Sequence, residues 1–98
     1  MTSAASKSAT PMALDGLRVL ELGQLIAGPF AARLFAEFGA EVIKVESPGE
    51  GDALRTWRHV HKGTSVWWYL QSRNKKSIAI DLKSAAGLAI VKRLAASV

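Results

Sequence analysis

Residues 14–52 read LDGLRVLELGQLIAGPFAARLFAEFGAEVIKVESPGEGD, and this stretch decides the fold of the 98-residue chain. Residues 17–22 form a short apolar-rich run between two glycines, which predicts a buried β-strand. Residues 41–46 form a second run of this kind. A turn at residues 23–28 and a segment with helical spacing lie between the two runs. The stretch therefore predicts a strand, a turn, a helix and a second strand.

The predicted helix starts at Pro29, because proline suits the first helical position, where its missing N–H costs nothing. The apolar residues that follow recur at helical spacing and should form one stripe; they are Phe30, Ala31, Leu34, Phe35 and Phe38. Gly39 is a typical residue for the end of a helix. Two strands joined by a helix should be parallel, with a right-handed crossover. The predicted fold class is therefore α/β, and its ligand crevice should lie at the carboxyl ends of the strands.

The second half of the chain is less regular. Residues 47–52 contain one proline and two glycines and must form a loop. Residues 66–70 suit either a strand or a helical turn. Three tryptophans in this part of the chain indicate packing in a core or a subunit contact; they are Trp57, Trp67 and Trp68.

The last part of the chain predicts one more strand and one more helix. Apolar residues alternate within residues 77–82, as they do in strands. Ser84 is a suitable N-cap for a final helix. Gly87 should weaken that helix by about 1 kcal/mol relative to alanine.

Composition excludes some classes of site. The chain has no cysteine, so disulfides and thiolate-bound metals are excluded, and a cytoplasmic location is expected. No apolar run approaches the roughly 20 residues that span a bilayer, so no membrane partner is expected. Residues 53–80 hold six Lys or Arg and no Asp or Glu, in a chain of formal charge +5. This run favours anionic partners such as phosphates, or it is a solvated surface loop. No nucleic-acid-binding module surrounds it, so no nucleic-acid partner is predicted.

Two nucleotide-binding motifs fail at the residues that carry their chemistry. The dinucleotide fingerprint needs a middle glycine that lets the backbone approach a pyrophosphate, and residues 23–28 have glycine only at their two ends. The phosphate loop needs Lys and Ser or Thr where Pro29 and Phe30 stand. His59 and His61 lie two residues apart, but no recognised metal pattern accompanies them, and no metal site is predicted.

Five motifs follow one another along the chain. They are LDGLRVLEL from Leu14, AGP from Ala27, GAEVIKVE from Gly39, PGEGD from Pro48, and NKKSIAIDLK from Asn74. In this order and spacing, and with Gly87 following, they resemble the amino-terminal segment of the class III CoA-transferases. That family includes formyl-CoA transferase, carnitine CoA-transferase and α-methylacyl-CoA racemase. The resemblance covers nearly all of the chain after residue 13.

The resemblance implies a Rossmann-like βαβ unit with parallel strands that is part of a larger CoA-transferase fold. Residues 14–98 would be the amino-terminal part of a truncated CoA-transferase domain, and residues 1–13 a disordered leader. The resemblance also implies an interlocked homodimer that moves CoA from an acyl-CoA to a carboxylic acid. The aspartate that attacks the thioester in that family lies downstream of the matching segment, so no catalytic residue is assigned within this chain.

The resemblance further implies residues that contact CoA, which enters as a substrate and not as a permanently bound cofactor. The family's turn after the first strand approaches the thioester and pantetheine, and it corresponds to Leu25, Ile26 and Ala27. Backbone N–H groups at this helix start are suited to developing negative charge. The family's segment at the end of the third strand approaches the adenosine phosphates, and it corresponds to Ile80 and Lys83.

Two departures and three alternatives stay open. Ser47 stands where some members carry an arginine that holds the nucleotide. Ile26 stands where formyl-CoA transferase has a polar side chain, which argues against oxalate as the acceptor. Within the family, a racemase would instead move a proton at the α-carbon with a His and an Asp. Outside it, the chain could be a small non-enzymatic βαβ module that binds anions, or a dinucleotide-binding domain.

Overall fold

The computed structural model describes residues 10–98, and the first nine residues of the predicted leader lie outside them. The elements follow in the order β1 (Arg18–Glu21), α1 (Ala27–Glu37), β2 (Glu41–Glu46), a 3-10 helix (Ala53–Thr56), β3 (Val60–His61), β4 (Thr64–Ser65), α2 (Val66–Gln71), β5 (Lys75–Ala79) and α3 (Ala85–Ala96). Met12, in the described part of the leader, donates its backbone N–H to the carboxylate of Asp15 at 2.8 Å.

Three of the strands form one parallel sheet in the order β1–β2–β5. Val19 of β1 is the register partner of Val42, and Val45 of β2 is the partner of Ile78. The predicted α/β class with parallel strands is confirmed. The two remaining strands form a small antiparallel hairpin outside this sheet. All three strands of the main sheet therefore end at the same edge, which positions the loops that follow them.

The sheet carries a small core on each face. Ala32 and Ala36 of α1 pack against Val42 on one face, with Val19 beside them. Val45, Ile80 and Val91 pack together on the other face, because residues three apart on a strand point to opposite sides. Helix α1 thus covers one side of the sheet and α3 covers the other. This arrangement is typical of parallel sheets, whose crossover connections place helices on both faces.

Helix α1 begins two residues earlier than predicted. Its first residue is Ala27, so Pro29 occupies the third helical position. The proline is still tolerated, because N–H groups in the first turn have no partner within the helix. A Cβ added to Gly28 would lie 2.9 Å from the Cα of Gly23. The two glycines let the end of the strand and the start of the helix touch through their backbones, and this contact fixes where the helix begins.

The predicted apolar stripe of α1 does not face the sheet. The helix buries Pro29, Ala32 and Ala36 instead. Four large apolar side chains of the stripe are between 38% and 56% exposed, and we call them the outer face of α1; they are Phe30, Leu34, Phe35 and Phe38. The spacing of apolar residues does not by itself decide which side of the helix is buried, because the close approach of the helix to the sheet requires alanine.

The final strand and helix are also shifted from their predicted positions. Strand β5 spans Lys75–Ala79 and not residues 77–82, and the N–H of Ile80 still donates to the carbonyl of Glu46 at 2.9 Å. Ser84 caps α3 as predicted, accepting the N–H of Gly87 at 2.9 Å. A Cβ on Gly87 would lie 2.0 Å from the carbonyl oxygen of Asp81. Gly87 is therefore required by this contact, and the expected gain from alanine does not apply.

Residues 66–70, which suited either a strand or a helical turn, belong to helix α2. Ser65 caps this helix by accepting the N–H of Trp67 at 3.1 Å. Trp67 and Trp57 meet edge to face, with ring centroids 5.9 Å apart. In residues 10–98, no helix is both long enough and apolar enough to cross a bilayer.

Candidate functional site

The segments that follow the three parallel strands meet at the carboxyl edge of the sheet. A crevice there is lined by residues from each of these segments and from the end of β2: Leu22, Gln24, Val45, Glu46, Ser47, Asp52 and Leu82. Its volume of about 30 Å³ suffices for one or two waters. A ligand as large as an acyl-CoA would therefore lie across the edge and could not fit within this crevice.

The turn between β1 and α1 has an unusual backbone conformation at Leu25. Its φ is 66°, in the left-handed region that a leucine side chain disfavours. Asp52 holds this conformation, since its Oδ1 accepts the Leu25 N–H at 3.0 Å. The same oxygen accepts the Leu54 N–H at 2.9 Å, which caps the 3-10 helix. One carboxylate thus joins the turn after β1 to the loop after β2.

Four charged side chains lie buried beneath this turn and form what we call the buried charge network: Glu21, Lys44, Asp52 and Lys75. The Lys44 ammonium lies 2.7 Å from Glu21 Oε2 and 2.7 Å from Asp52 Oδ2. The Lys75 ammonium lies 2.7 Å from Glu21 Oε1. Each side chain is 3% exposed or less. The two lysines and two carboxylates balance in formal charge, as buried charges must.

The burial of Lys75 shows that the basic run at residues 53–80 is not a solvated surface loop at this residue. Besides its ion pair with Glu21, its ammonium donates to the carbonyl of Pro29 at 2.9 Å. Burial lowers the pKa of Lys75, and the hydrogen bond to Glu21 opposes that shift. Its neighbour Lys76 points to the other side of the strand and forms an exposed ion pair with Glu41.

A third buried carboxylate, Glu46, ends strand β2. It accepts two hydrogen bonds from the guanidinium of Arg55, at 2.8 and 2.7 Å, and one from the Asp52 N–H at 2.8 Å. The Ser77 hydroxyl also donates to it. The hydrogen bond from Arg55 is the main reason that the pKa of Glu46 falls from 4.5 to about 2. Arg55 also stacks on the ring of Trp68, 4.0 Å from its centroid.

The basic run at residues 53–80 is largely neutralised within the fold. Four of its six cations pair with glutamates of the sheet and of α1: Arg55 with Glu46, Arg73 with Glu37, Lys75 with Glu21, and Lys76 with Glu41. The guanidinium of Arg58 lies 4.5 Å from the ring centroid of Trp57. The run is therefore neither a solvated loop throughout nor a continuous surface for anions.

The turn residues implied by the family resemblance lie at the start of α1. Leu25 is half-buried, whereas Ile26 and Ala27 are exposed. Ile26 is the N-cap residue, no side chain caps the helix, and no acidic residue occupies its first turn. No carboxylate of α1 itself therefore competes with an anion at this helix N-terminus, and one from outside the helix, Asp52, is bound to the Leu25 N–H just before the N-cap.

The second implied pair follows β5 at the same edge. The side chain of Ile80 is buried between Val45 and Val91, so only its backbone is available to a ligand. Lys83 is exposed, and its N–H donates to the Asp81 carboxylate at 2.9 Å. Since β1 and β5 run in the same direction, Lys83 lies at the edge where the turn after β1 lies.

No group of three potential metal ligands occurs among the described His, Asp and Glu side chains. His59 and His61 lie in and beside the small hairpin, and both are exposed. The buried charge network is not among the features predicted from the sequence. A signal was present, because Lys44 interrupts an apolar strand between Ile43 and Val45, and a lysine at such a position needs a buried partner.

Comparison with known proteins identifies relatives of most of this chain. Residues 14–98 match the sequence model of CoA-transferase family III. The succinyl-CoA–D-citramalate CoA-transferase of Chloroflexus aurantiacus is 58% identical over 90 residues, which cover 91% of this chain and 22% of that protein. The succinyl-CoA:glutarate CoA-transferase of Homo sapiens is 50% identical over 84 residues, which cover 85% of this chain and 19% of that protein. The chain thus spans about a fifth of the length of these relatives.

Solved structures with a similar fold are also found. A crystal structure described as a CAIB/BAIF family protein from Brucella suis is 39% identical and superposes with a TM-score of 0.80, covering 90% of this chain and 24% of that chain. A hypothetical protein from Mycobacterium tuberculosis is also 39% identical, with a TM-score of 0.76 over 86% of this chain and 23% of that chain. Sequence and structure therefore agree, and the chain belongs to CoA-transferase family III.

Proposed function

We propose that this chain is the amino-terminal part of an acyl-CoA:carboxylate CoA-transferase. The membership of residues 14–98 in CoA-transferase family III supports this proposal. Relatives whose names specify succinyl-CoA and a carboxylic acid support it further. We therefore propose succinyl-CoA as the first donor to test, with glutarate and D-citramalate as the first acceptors.

In the proposed reaction, this chain binds CoA, and a downstream aspartate performs the chemistry. The aspartate attacks the thioester carbonyl and releases the CoA thiolate, which leaves a mixed anhydride on the enzyme. The thiolate then attacks the aspartyl carbonyl of the anhydride, releasing the donor acid and forming an aspartyl-CoA thioester. The acceptor carboxylate attacks that thioester and displaces the CoA thiolate, which forms a second mixed anhydride. The thiolate then attacks the acceptor carbonyl of this anhydride, which gives the new acyl-CoA and frees the aspartate carboxylate. Splitting one transfer into several steps is the advantage of covalent catalysis.

Within this mechanism, the turn and the segment after β5 bind opposite ends of CoA. Leu25, Ile26 and Ala27 contact the pantetheine and the thioester, where the N–H groups at the start of α1 favour negative charge. Ile80 and Lys83 contact the adenosine phosphates, Ile80 through its backbone. The carrying observation is that the helix start without a side-chain cap and the exposed lysine lie at one edge of the parallel sheet.

The first experiment is to measure the intact mass of the protein from its source. A polypeptide several times longer than 98 residues supports the proposal, and a transfer assay with succinyl-CoA and glutarate follows. A native mass equal to that of this chain would contradict the proposal, because the nucleophile would then be missing. It would favour the small binding module.

Lys83→Ala in the full-length protein tests the phosphate contact. We expect the KM for succinyl-CoA to rise about tenfold with little change in kcat, because a contact distant from the reacting atoms contributes uniform binding. Lys92→Ala is the matched control, since Lys92 is another exposed lysine but lies on α3. An unchanged KM in Lys83→Ala would remove the assignment.

A racemase is the competing activity within the family. It would exchange the α-proton of a branched acyl-CoA with deuterium from the solvent and transfer no CoA. Deuterium incorporation without transfer would therefore replace the proposed function. We also propose that the full-length protein is an interlocked homodimer in the cytoplasm, and the mass of the native assembly tests the dimer.

A further inference from the structure

The buried charge network contacts the backbone of the turn after β1 at three points. Lys44 donates to the carbonyl of Gly23 at 3.1 Å, at the start of the turn. Asp52 accepts the N–H of Leu25 at 3.0 Å, in its middle. Lys75 donates to the carbonyl of Pro29 at 2.9 Å, in the first turn of α1. The network thus holds the turn from its first residue to the beginning of the helix.

Stability alone does not explain why four charges are buried at this place. Burying an ion pair usually contributes no more than well-packed apolar residues of the same size would, because each ion loses its hydration. Apolar residues, however, cannot hydrogen-bond to the backbone of the turn. The polar atoms are needed where the backbone offers two carbonyls and one N–H to the interior.

Leu25 shows what the network holds in place. A leucine with a φ of 66° is strained, and such a conformation persists only where the surroundings fix it. The carboxylate of Asp52 supplies this restraint through the Leu25 N–H. The carboxylate is itself fixed by Lys44 at 2.7 Å, and so has little freedom to follow a displaced turn.

We propose that Asp52 is a positioning residue for CoA binding, which acts by holding the Leu25 turn in its binding conformation before the ligand arrives. This inference rests on the proposed function, because it assumes that CoA binds at the turn. Lys44 and Lys75 support Asp52 by fixing the two ends of the same turn. A turn that is already ordered loses less conformational entropy when it binds a ligand, and its affinity is correspondingly higher.

The test uses the full-length protein and titration with coenzyme A at a temperature where every variant is folded. Asp52→Asn keeps the size of the side chain but leaves one hydrogen-bond-accepting oxygen in place of two. The single amide oxygen of asparagine can accept a hydrogen bond from the Leu25 N–H or from the Lys44 ammonium. The amide NH2 group then faces the remaining donor and cannot accept its hydrogen bond. We expect the dissociation constant for coenzyme A to rise about tenfold, the effect of losing one charge-assisted hydrogen bond.

A second genetic background, Leu25→Gly, distinguishes a positioning role of Asp52 from a general loss of stability. In Leu25→Gly the turn adopts a positive φ without strain, so it depends less on Asp52. The effect of Asp52→Asn on the dissociation constant should therefore shrink to less than about threefold in the Leu25→Gly background. Ser65→Ala is the control, because it removes the buried cap of α2 and lowers stability without contacting the turn. Its affinity for coenzyme A should equal that of the wild type.

Three outcomes would overturn the inference. The first is that Asp52→Asn binds coenzyme A as tightly as the wild type does. The second is that Asp52→Asn raises the dissociation constant by the same factor in the wild-type and Leu25→Gly backgrounds. The third outcome needs no variant, so it decides the matter even if Asp52→Asn fails to fold. Hydrogen exchange of the wild type would show the Leu25 amide protected only when coenzyme A is bound, whereas we expect equal protection without it. A wild type that binds no coenzyme A would instead refute the proposed function, and the inference would fall with it.

Discussion

The buried charge network and the outer face of α1 invert the usual distribution of polar and apolar side chains. The network places four charged side chains in the interior, each 3% exposed or less. The outer face of α1 places three phenylalanines and a leucine at the surface of the described chain. The two regions lie within a few residues of each other, since α1 begins at the end of the turn that the network holds.

The difference shows that backbone packing and backbone hydrogen bonding decide which side chains are buried in these two regions. Close contact of α1 with the sheet admits only small residues, so alanines take the buried face and the large side chains remain outside. The backbone of the turn needs hydrogen-bond partners on its buried side, so charged side chains occupy the interior there. Hydrophobicity alone would have assigned both regions wrongly.

The largest effect should come from breaking the network at its centre. Lys44→Ala leaves the carboxylates of Glu21 and Asp52 buried with one cation fewer, and we expect a loss of about 3–5 kcal/mol in the free energy of unfolding. Lys76→Ala removes an ion pair of the same 2.7 Å length on the surface and should cost less than about 1 kcal/mol. Urea unfolding of both variants measures the difference. Equal losses would show that burial does not distinguish the two pairs.

An intermediate effect on the free energy of unfolding should come from Glu46. Its side chain is buried, although its partner Arg55 is partly exposed. Because the folded-state pKa is about 2 and the ordinary value 4.5, the stabilisation is complete above pH 4.5 and is lost as the pH falls through 2. Between pH 5 and pH 2 the wild type should lose about 2 kcal/mol more than Glu46→Gln, a figure reduced for screening at Arg55. Urea unfolding across this range provides the measurement. Parallel pH profiles for the two proteins would contradict the assignment.

The smallest effect should come from the outer face of α1. The Phe38 ring is 56% exposed, so Phe38→Ser should change the free energy of unfolding by less than about 0.5 kcal/mol. Val42→Ala on the buried side should cost about 2 kcal/mol. Both values follow from denaturant unfolding. A loss of 2 kcal/mol or more in Phe38→Ser would mean that further protein covers this face, and the comparison between the two regions would then need revision.

Most of the architecture could be predicted from the sequence, but few of the side-chain contacts that stabilise it could. Strand β2 and the N-cap Ser84 were predicted correctly, because an apolar run and a capping serine are local signals. The buried face of α1 was not, since it depends on how closely the helix approaches the sheet. The turn at residues 23–28 was predicted as a site from the family resemblance. Asp52 and Lys75 were missed, because they reach the turn from distant parts of the chain.

The contact between Gly23 and Gly28 has a consequence for redesigning the proposed CoA site. The ends of this loop leave little room for variation, since a methyl group on Gly28 would lie 2.9 Å from the Gly23 Cα and one on Gly23 would lie 3.1 Å from the Gly28 Cα. The middle is open, because the side chains of Gln24 and Ile26 are exposed. A mutational library confined to these two positions would sample new side chains in the crevice lining at Gln24 and at the start of α1 at Ile26, while both glycines are kept.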